Sequence, residues 1–358
     1  MTEREGLGDV RLLASAERLL ADAEQRIRLL DRVRPRNFGV ERTRLSQKLS
    51  AGERAEPSFE YEAANDLHDL CLELEVVARG LSGAGPLGEL YAARAEELLL
   101  EARLAESIGT PALRTLAEQR YPASPSEELD ALLAAFDAAR VDEPSELIRA
   151  SDASDPRSLL SVLRARVSAL DVPVRIDVRP HLHSVAAAGD GFVALRADAL
   201  LSARAAERIA CHELYAHVLP RMAAGREAFG IYRVGTRGAN EDEEGRALCI
   251  EERMGFLDGA RKQELFSRHR LAVAVRQGAG LEELVASVTA RGLSPTDSLD
   301  LSLRALRGGG LSREVVYLPA YLRVARAFEA DPRSERFFER GRVAVAALPV
   351  LRSLDLNR

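Results

Sequence analysis

Cys211-His212-Glu213-Leu214-Tyr215-Ala216-His217, followed by Asp242-Glu243-Glu244-Gly245-Arg246-Ala247, is the part of the sequence on which both fold and chemistry turn. Two histidines with a glutamate beside the first, and a carboxylate on a later helix, are the parts of a catalytic zinc site. Zinc takes neutral imidazole and carboxylate ligands and keeps a fourth position for water. A glutamate next to the first histidine is placed to take a proton from that water. The histidine spacing is one residue longer than HExxH. On an ideal helix, residues four apart lie roughly 40° apart around the axis and residues five apart roughly 140°. His212 and His217 therefore reach one ion only if the helix carries a one-residue π-bulge, a feature concentrated at functional sites. The competing reading is an ordinary amphipathic helix with two unrelated histidines among the six of the chain.

Working outward, Ser202 is a plausible N-cap for the motif helix, which is expected to run to about Val218, before Pro220. Just upstream, Val174, Ile176 and Val178 alternate with Arg175, Asp177 and Arg179, the period of a half-buried strand. Ser184–Ala188 and Phe192–Arg196 follow as strands, joined by the turn Gly189-Asp190-Gly191. His181 and His183, two apart at the end of the first strand, could share a face and a metal, although exposed rings at a strand edge are the favoured reading. Downstream, Asn240 could cap a helix whose acidic first turn (Glu241, Asp242, Glu243) suits the helix dipole. Glu244 differs through its neighbour: Gly245 removes a side chain and leaves room for another backbone or a ligand to approach. Leu248, Ile250 and Met254 give this helix a core-facing side, with Arg246, Glu251, Glu252 and Arg253 on its other faces.

The N-terminal part reads as helical. Leu12, Ala16, Leu19, Ala23, Ile27 and Leu30 recur at helical spacing, and Leu67, Leu70, Leu74 and Val77 form a second stripe from which His68 falls away to solvent. A third helix runs from near Leu87 to Leu104. The Asp-, Pro- and Ser-rich stretch from Val141 to Arg157 is the expected lobe boundary. At 358 residues, with 46% hydrophobic and 30% charged residues, the chain is a globular protein large enough for two lobes. A net charge of −6 without a basic patch argues against nucleic acid as a partner. No apolar run is long enough to span a bilayer, so no membrane role is expected. The polar start Met1-Thr2-Glu3-Arg4-Glu5 is unlike a secretory signal, and Cys71, Cys211 and Cys249 have no disulfide or zinc-finger spacing; both fit a cytoplasmic location.

The same segments resemble the QEGLA-motif family of metallopeptidases, related to the microtubule-associated tyrosine carboxypeptidase. The family's HExxxH corresponds to His212-Glu213-Leu214-Tyr215-Ala216-His217 and its QEGLA to Glu243-Glu244-Gly245-Arg246-Ala247. Pro35-Arg36-Asn37-Phe38, Gly109-Thr110-Pro111, Arg120-Tyr121-Pro122 and Gly308-Gly309-Gly310 before Val316-Tyr317-Leu318 extend the likeness over most of residues 10 to 350. The resemblance implies that His212, His217 and Glu244 bind Zn2+ and that Glu213 is the general base. Two departures, Glu243 for Gln and Arg246 for Leu, fall on no proposed ligand but put the tyrosine specificity in question. Locally the segments also resemble dipeptidyl peptidase III, which pairs HExxxH with an EExRA-like segment. The expected fold is α+β, mainly α-helical. A helical N-terminal lobe (1–150) would precede a gluzincin-like catalytic lobe (151–358) with a small, mostly antiparallel sheet and a bulged HExxxH helix.

The implied chemistry is hydrolysis of a peptide bond, with a peptide or protein C-terminus as the substrate. The oxyanion needs a donor; Tyr317, Tyr321, Tyr215 and His269 are the candidates, with Tyr317 first because it follows the glycine loop, and a core role for that ring as the alternative. A terminal carboxylate suits a guanidinium fork. Arg307 and Arg237 rank ahead of Arg221 and Arg233, each with a surface role as its alternative. The strand Phe192–Arg196 would hold an extended peptide by strand addition. Two further readings stand beside a carboxypeptidase: a dipeptidyl or aminopeptidase, and a zinc-bearing regulatory protein without turnover.

Overall fold

The computed structural model describes residues 3–356 except 65, 142–145, 181 and 183, with side chains from residue 11 to residue 355. His181 and His183 thus lie outside the described residues. The described backbone is α+β and mainly helical. It divides into two compact units, one reaching to Ala134 and including Glu264–Pro319, the other formed by Ala135–Gln263 and the segment from Ala320 onward. These units differ from a single cut at residue 150. The segment Glu264–Pro319 groups with the N-terminal helices through contacts distant in sequence, which local composition does not encode.

In the first unit the helices Glu3–Ile27, His68–Leu81 and Gly85–Glu106 pack together. Ala16, Leu20, Ala23 and Ile27 are buried, while Leu12 and Leu30 are largely exposed, so the stripe uses Leu20 in place of Leu19. Each fully buried leucine contributes about 1.5–3 kcal/mol of transfer free energy. Charges are also buried here: Arg120 lies 3.0 Å from Glu97 and 2.7 Å from Glu101, and Arg94 pairs with Glu97. His68 is exposed, as its position off the stripe implied. Gly308, Gly309 and Gly310 form a packed turn with φ of 71°, 87° and 102°. A Cβ on Gly308 would stand 2.8 Å from Val33 Cγ1, so the turn requires glycine twice over, for conformation and for space.

The second unit holds five short strands: β1 (Ile148–Arg149), β2 (Arg175–Arg179), β3 (Ala186–Gly189), β4 (Phe192–Arg196) and β5 (Leu200–Leu201). β1 pairs antiparallel with β5. The other three form a mixed sheet in the order β2-β4-β3, with β2 parallel and β3 antiparallel to β4. The β3–β4 hairpin closes at the pair Gly189–Phe192 around Asp190-Gly191, with Gly191 at φ 71°. β4 is the central strand, bonded on both edges, so it cannot accept a peptide as an added strand; β2 and β3 are the edges. On β2, Asp177 bridges Arg175 at 2.8 Å and Arg179 at 3.3 Å on one face, as period-two alternation requires, while Val178 is left exposed.

One core joins this sheet to two helices. Val193 and Leu195 of β4 pack with Leu159, Leu160 and Leu163 of the helix Leu159–Leu170 and with Ala206, Ala210, Leu214 and Val218 of the motif helix. Ser158 caps the first of these helices, accepting from Ser161 N–H at 3.2 Å.

Candidate metal centre

The motif helix begins where the sequence implies, with Ser202 Oγ accepting from Ala205 N–H at 3.1 Å. Ala203–Cys211 is α-helical, His212–Val218 is a π-helix, and Leu219–Ala224 resumes the α form. In the π segment an N–H reaches back five residues, as Leu219 N–H does to Leu214 O. The extra residue between the histidines is absorbed in this wider turn, and the two imidazole rings stand 5.1 Å apart. Leu214 and Val218 bury themselves in the sheet core, which fixes the rotation of the segment. The helix does not end before Pro220 but passes through it to Ala224.

The facing helix, Ala239–Arg253, starts two positions earlier than the sequence reading, in which Asn240 is the cap. Gly238, in the left-handed region at φ 81°, is its N-cap, and Asn240 is inside the helix, accepting from Arg342 at 2.7 Å. Asp242 does more than offset the dipole: it is buried, bonded by Arg323 and by Val345 N–H at 2.7 Å. Gly245 is where another backbone comes close. A Cβ there would lie 2.6 Å from the carbonyl carbon and oxygen of Ala320 and 2.9 Å from Tyr321 N. The helix packs on the π segment through Ala247 and Ile250 against Ala216.

This packing brings His212, His217 and Glu244 together, with one potential ligand atom from each lying within 4.8 Å of the others. His212 Nε2 is 3.7 Å from Glu244 Oε2. Ligands at zinc–nitrogen and zinc–oxygen distances in a tetrahedron are roughly 3.3 Å apart. The trio would therefore close by rotamer adjustment around a divalent ion, and its N, N, O donor set suits one. Glu213, between the histidines in sequence, is half-buried.

Each imidazole also meets a second carboxylate. His212 Nδ1 is 2.8 Å from Glu251 Oε1, and His217 Nδ1 faces Glu243 Oε2 at 3.7 Å, beyond hydrogen-bond distance. A partner at hydrogen-bond distance, as Glu251 is to His212, selects the tautomer and aims the other ring nitrogen. The carboxylates are in turn neutralised: Arg261 contacts Glu251 at 2.8 and 3.1 Å, with Arg208 at 3.5 Å, and Arg221 donates to Glu243 at 3.2 Å. Burial alone would raise the Glu251 carboxyl, but Arg261, His212 and Arg208 outweigh it and bring its pKa down to about 2. Burial opposes charging of His212, and Glu251, Glu213 and Glu244 overcome it, raising its pKa. Glu243 is likewise held well below the carboxylate range, against its burial, by Arg221 and His217.

Glu251 is the residue that sequence reasoning missed. It is not on an outer face but fully buried, whereas Met254, placed on the core side, is 42% exposed. The available signal was its seven-residue separation from Glu244, which returns it to within roughly 20° of the same helix face. Glu243, a departure from the family motif, faces a proposed ligand after all. Arg246 is buried and donates to Tyr215 O at 2.9 Å.

The remaining candidates are placed as follows. Tyr215 bonds Arg166 and Tyr321 bonds Glu252, so both hydroxyls are engaged elsewhere. His269 is buried in the first unit, and burial pushes its pKa down to about 4. Tyr317 also belongs to the first unit, with the Arg313 guanidinium 5.4 Å from its ring centroid. Arg307, in the same unit, stands over the Phe38 ring at 5.4 Å, its pKa lowered to about 10 by burial and by Arg304. Arg237 is exposed just before the facing helix. The structure does not bring Tyr317 and Arg307 into the unit that holds the trio.

Two packed helices that aim two imidazoles and a carboxylate at one point, below a small mixed sheet, define an α+β protein with a His/His/Glu centre. The chain belongs to the family described as microtubule-associated tyrosine carboxypeptidase, which it matches over residues 47–357. No curated protein matches it. Among the described residues no helix is long and apolar enough to cross a membrane.

Proposed function

We propose that this chain is a zinc-dependent carboxypeptidase acting on peptide or protein C-termini. The observation that carries the reading is the convergence of His212, His217 and Glu244, with Glu251 and Glu243 behind the two imidazoles. His212, His217 and Glu244 would hold the ion. Zinc bound there supplies Lewis-acid polarisation of the scissile carbonyl and acidification of a water. Glu213 takes the proton from the attacking water and passes it to the leaving amine. Glu251 keeps the His212 imidazole oriented, and Glu243 sets a carboxylate facing His217. Tyr317 is the proposed oxyanion donor, and Arg307 and Arg237 are the proposed partners of the substrate carboxylate. A preference for C-terminal tyrosine is carried by the family description alone.

The test combines metal analysis with blocked peptides. About one zinc per chain is expected, lost in His212→Ala and in Glu244→Ala. Glu213→Gln should keep the metal and lose hydrolysis; retained turnover would remove Glu213 from the chemistry. A carboxypeptidase tolerates N-terminal acetylation and is stopped by C-terminal amidation. The reverse pattern would point to a dipeptidyl or aminopeptidase, a reading favoured locally by Arg246 in the Glu243-Glu244-x-Arg246-Ala247 segment. A zinc-loaded protein that hydrolyses neither kind of peptide would be a binding protein. Peptides ending in Tyr, Phe, Leu or Glu test the side-chain preference.

A further inference from the structure

We propose that Arg246 is a positioning residue that holds His212–Val218 in its π register, by supplying the hydrogen bond that Pro220 cannot make. In an α register Tyr215 O would accept from the N–H four residues on, at Leu219. That N–H is committed to Leu214 O, five residues back. In the π register Tyr215 O would accept from residue 220, which is proline and has no N–H. Ala216 O meets the same gap at the α spacing, since its partner four residues on is again Pro220. These are the two carbonyls that a backbone donor at 220 would serve. The guanidinium of Arg246 reaches both, with Nη1 2.9 Å from Tyr215 O and 3.4 Å from Ala216 O.

The arrangement is built for the purpose. Arg246 is only 4% exposed, and the residue next to it, Ala247, packs on Ala216. A buried carbonyl without a donor keeps its desolvation penalty, and a charge-assisted bond offsets it. Pro220 thus prevents the regular ladder from re-forming across the transition back to α-helix, and Arg246 makes that irregular register inexpensive. Because Arg246 sits two residues after Glu244, the same bond sets the π segment with its two histidines against the helix that bears the third ligand.

The inference rests on the zinc reading only for its metal readout, so two measurements are paired. Wild type, Arg246→Met, Pro220→Ala and the double variant are compared by urea unfolding of the metal-free protein and by zinc affinity in a competition assay. Arg246→Met keeps the stem and removes the donors. It should lower the folding equilibrium constant about 10- to 100-fold and zinc affinity by about 10- to 100-fold. In the Pro220→Ala background, where residue 220 regains its N–H, both losses should shrink to within about threefold. The cobalt(II)-loaded double variant should regain the wild-type ligand-field spectrum, which a loss of packing would not restore. Equal losses with either residue at 220 would overturn the proposal. If Arg246→Met does not fold alone, its recovery in the Pro220→Ala background is the expected coupling, and failure to fold in both backgrounds overturns the proposal. Coupling in urea without zinc binding by the wild type would leave Arg246 in this role and remove the metal reading.

Discussion

Replacing Glu251 by alanine should damage the site more than its distance from the reacting atoms suggests. The carboxylate has no exposed side-chain surface and holds His212 Nδ1 at 2.8 Å, Arg261 at 2.8 and 3.1 Å and Arg208 at 3.5 Å. Arg261 is itself 8% exposed at its side chain, so truncation removes a carboxylate that a buried guanidinium contacts twice. Breaking a buried pair from one side costs about 3–5 kcal/mol, because the remaining charge keeps its desolvation penalty. His212 loses the group that fixes its tautomer, for which metal affinity falls about 10- to 100-fold. Urea unfolding of the metal-free protein reads the first quantity and zinc competition the second. Glu251→Gln separates them: its amide oxygen still accepts from His212, so zinc affinity should recover in part while stability stays low. A Glu251→Ala protein within about 1 kcal/mol of wild type and with unchanged zinc affinity would refute the reasoning, since the charge cluster would then be neither desolvated nor coupled to the imidazole.

Two other outcomes follow from single distances and one shifted group. Gly245→Ala places a methyl 2.6 Å from the Ala320 carbonyl, a backbone neighbour that cannot rotate away. The helix must shift, at a cost of about 1–3 kcal/mol, read as a lowered melting temperature together with weaker zinc binding because Glu244 is adjacent. His269 has its pKa depressed by burial from 6.5 to about 4. The unfolded chain therefore binds this proton first as the pH falls, so stability is full above pH 6.5, declines between 6.5 and about 4, and levels off below. At 1.36 kcal/mol per unit the loss is about 3 kcal/mol, and His269→Gln should remove that component from a pH series of urea titrations.

Much of the site was legible because its signals are local. Ser202 caps the motif helix, Asp190-Gly191 turns the hairpin, and Gly245 marks a close backbone approach. What stayed hidden depends on partners far along the chain. Glu251 and Arg246 are charged residues in a helix, and periodicity assigns such residues to solvent. Neighbours such as Arg261 and His212 for Glu251, and the carbonyl of Tyr215 for Arg246, make their burial tolerable. The same limit explains β4. Its apolar run reads equally well as an edge or a centre, and the parallel pairing with β2 that makes it central joins segments separated by β3. Asn240 was the better cap by composition, but Gly238 can enter the left-handed region and Asn240 is claimed by Arg342.

The grouping of Glu243, Glu244 and Glu251 on one helix has a consequence for how the centre comes into being. The trio, together with Glu251 and Glu243, falls between residues 212 and 251, on two helices joined by residues 225–238, which include the helix Ile231–Val234. Closing a loop of that length carries little entropic penalty, and contacts this near in sequence form early in folding. The sheet, by contrast, must bring parallel strands together. Assembly of the trio is therefore a local event that can precede completion of the sheet, and, if the trio holds zinc as proposed, zinc added during refolding should accelerate the formation of this helix pair before it affects the rest of the chain.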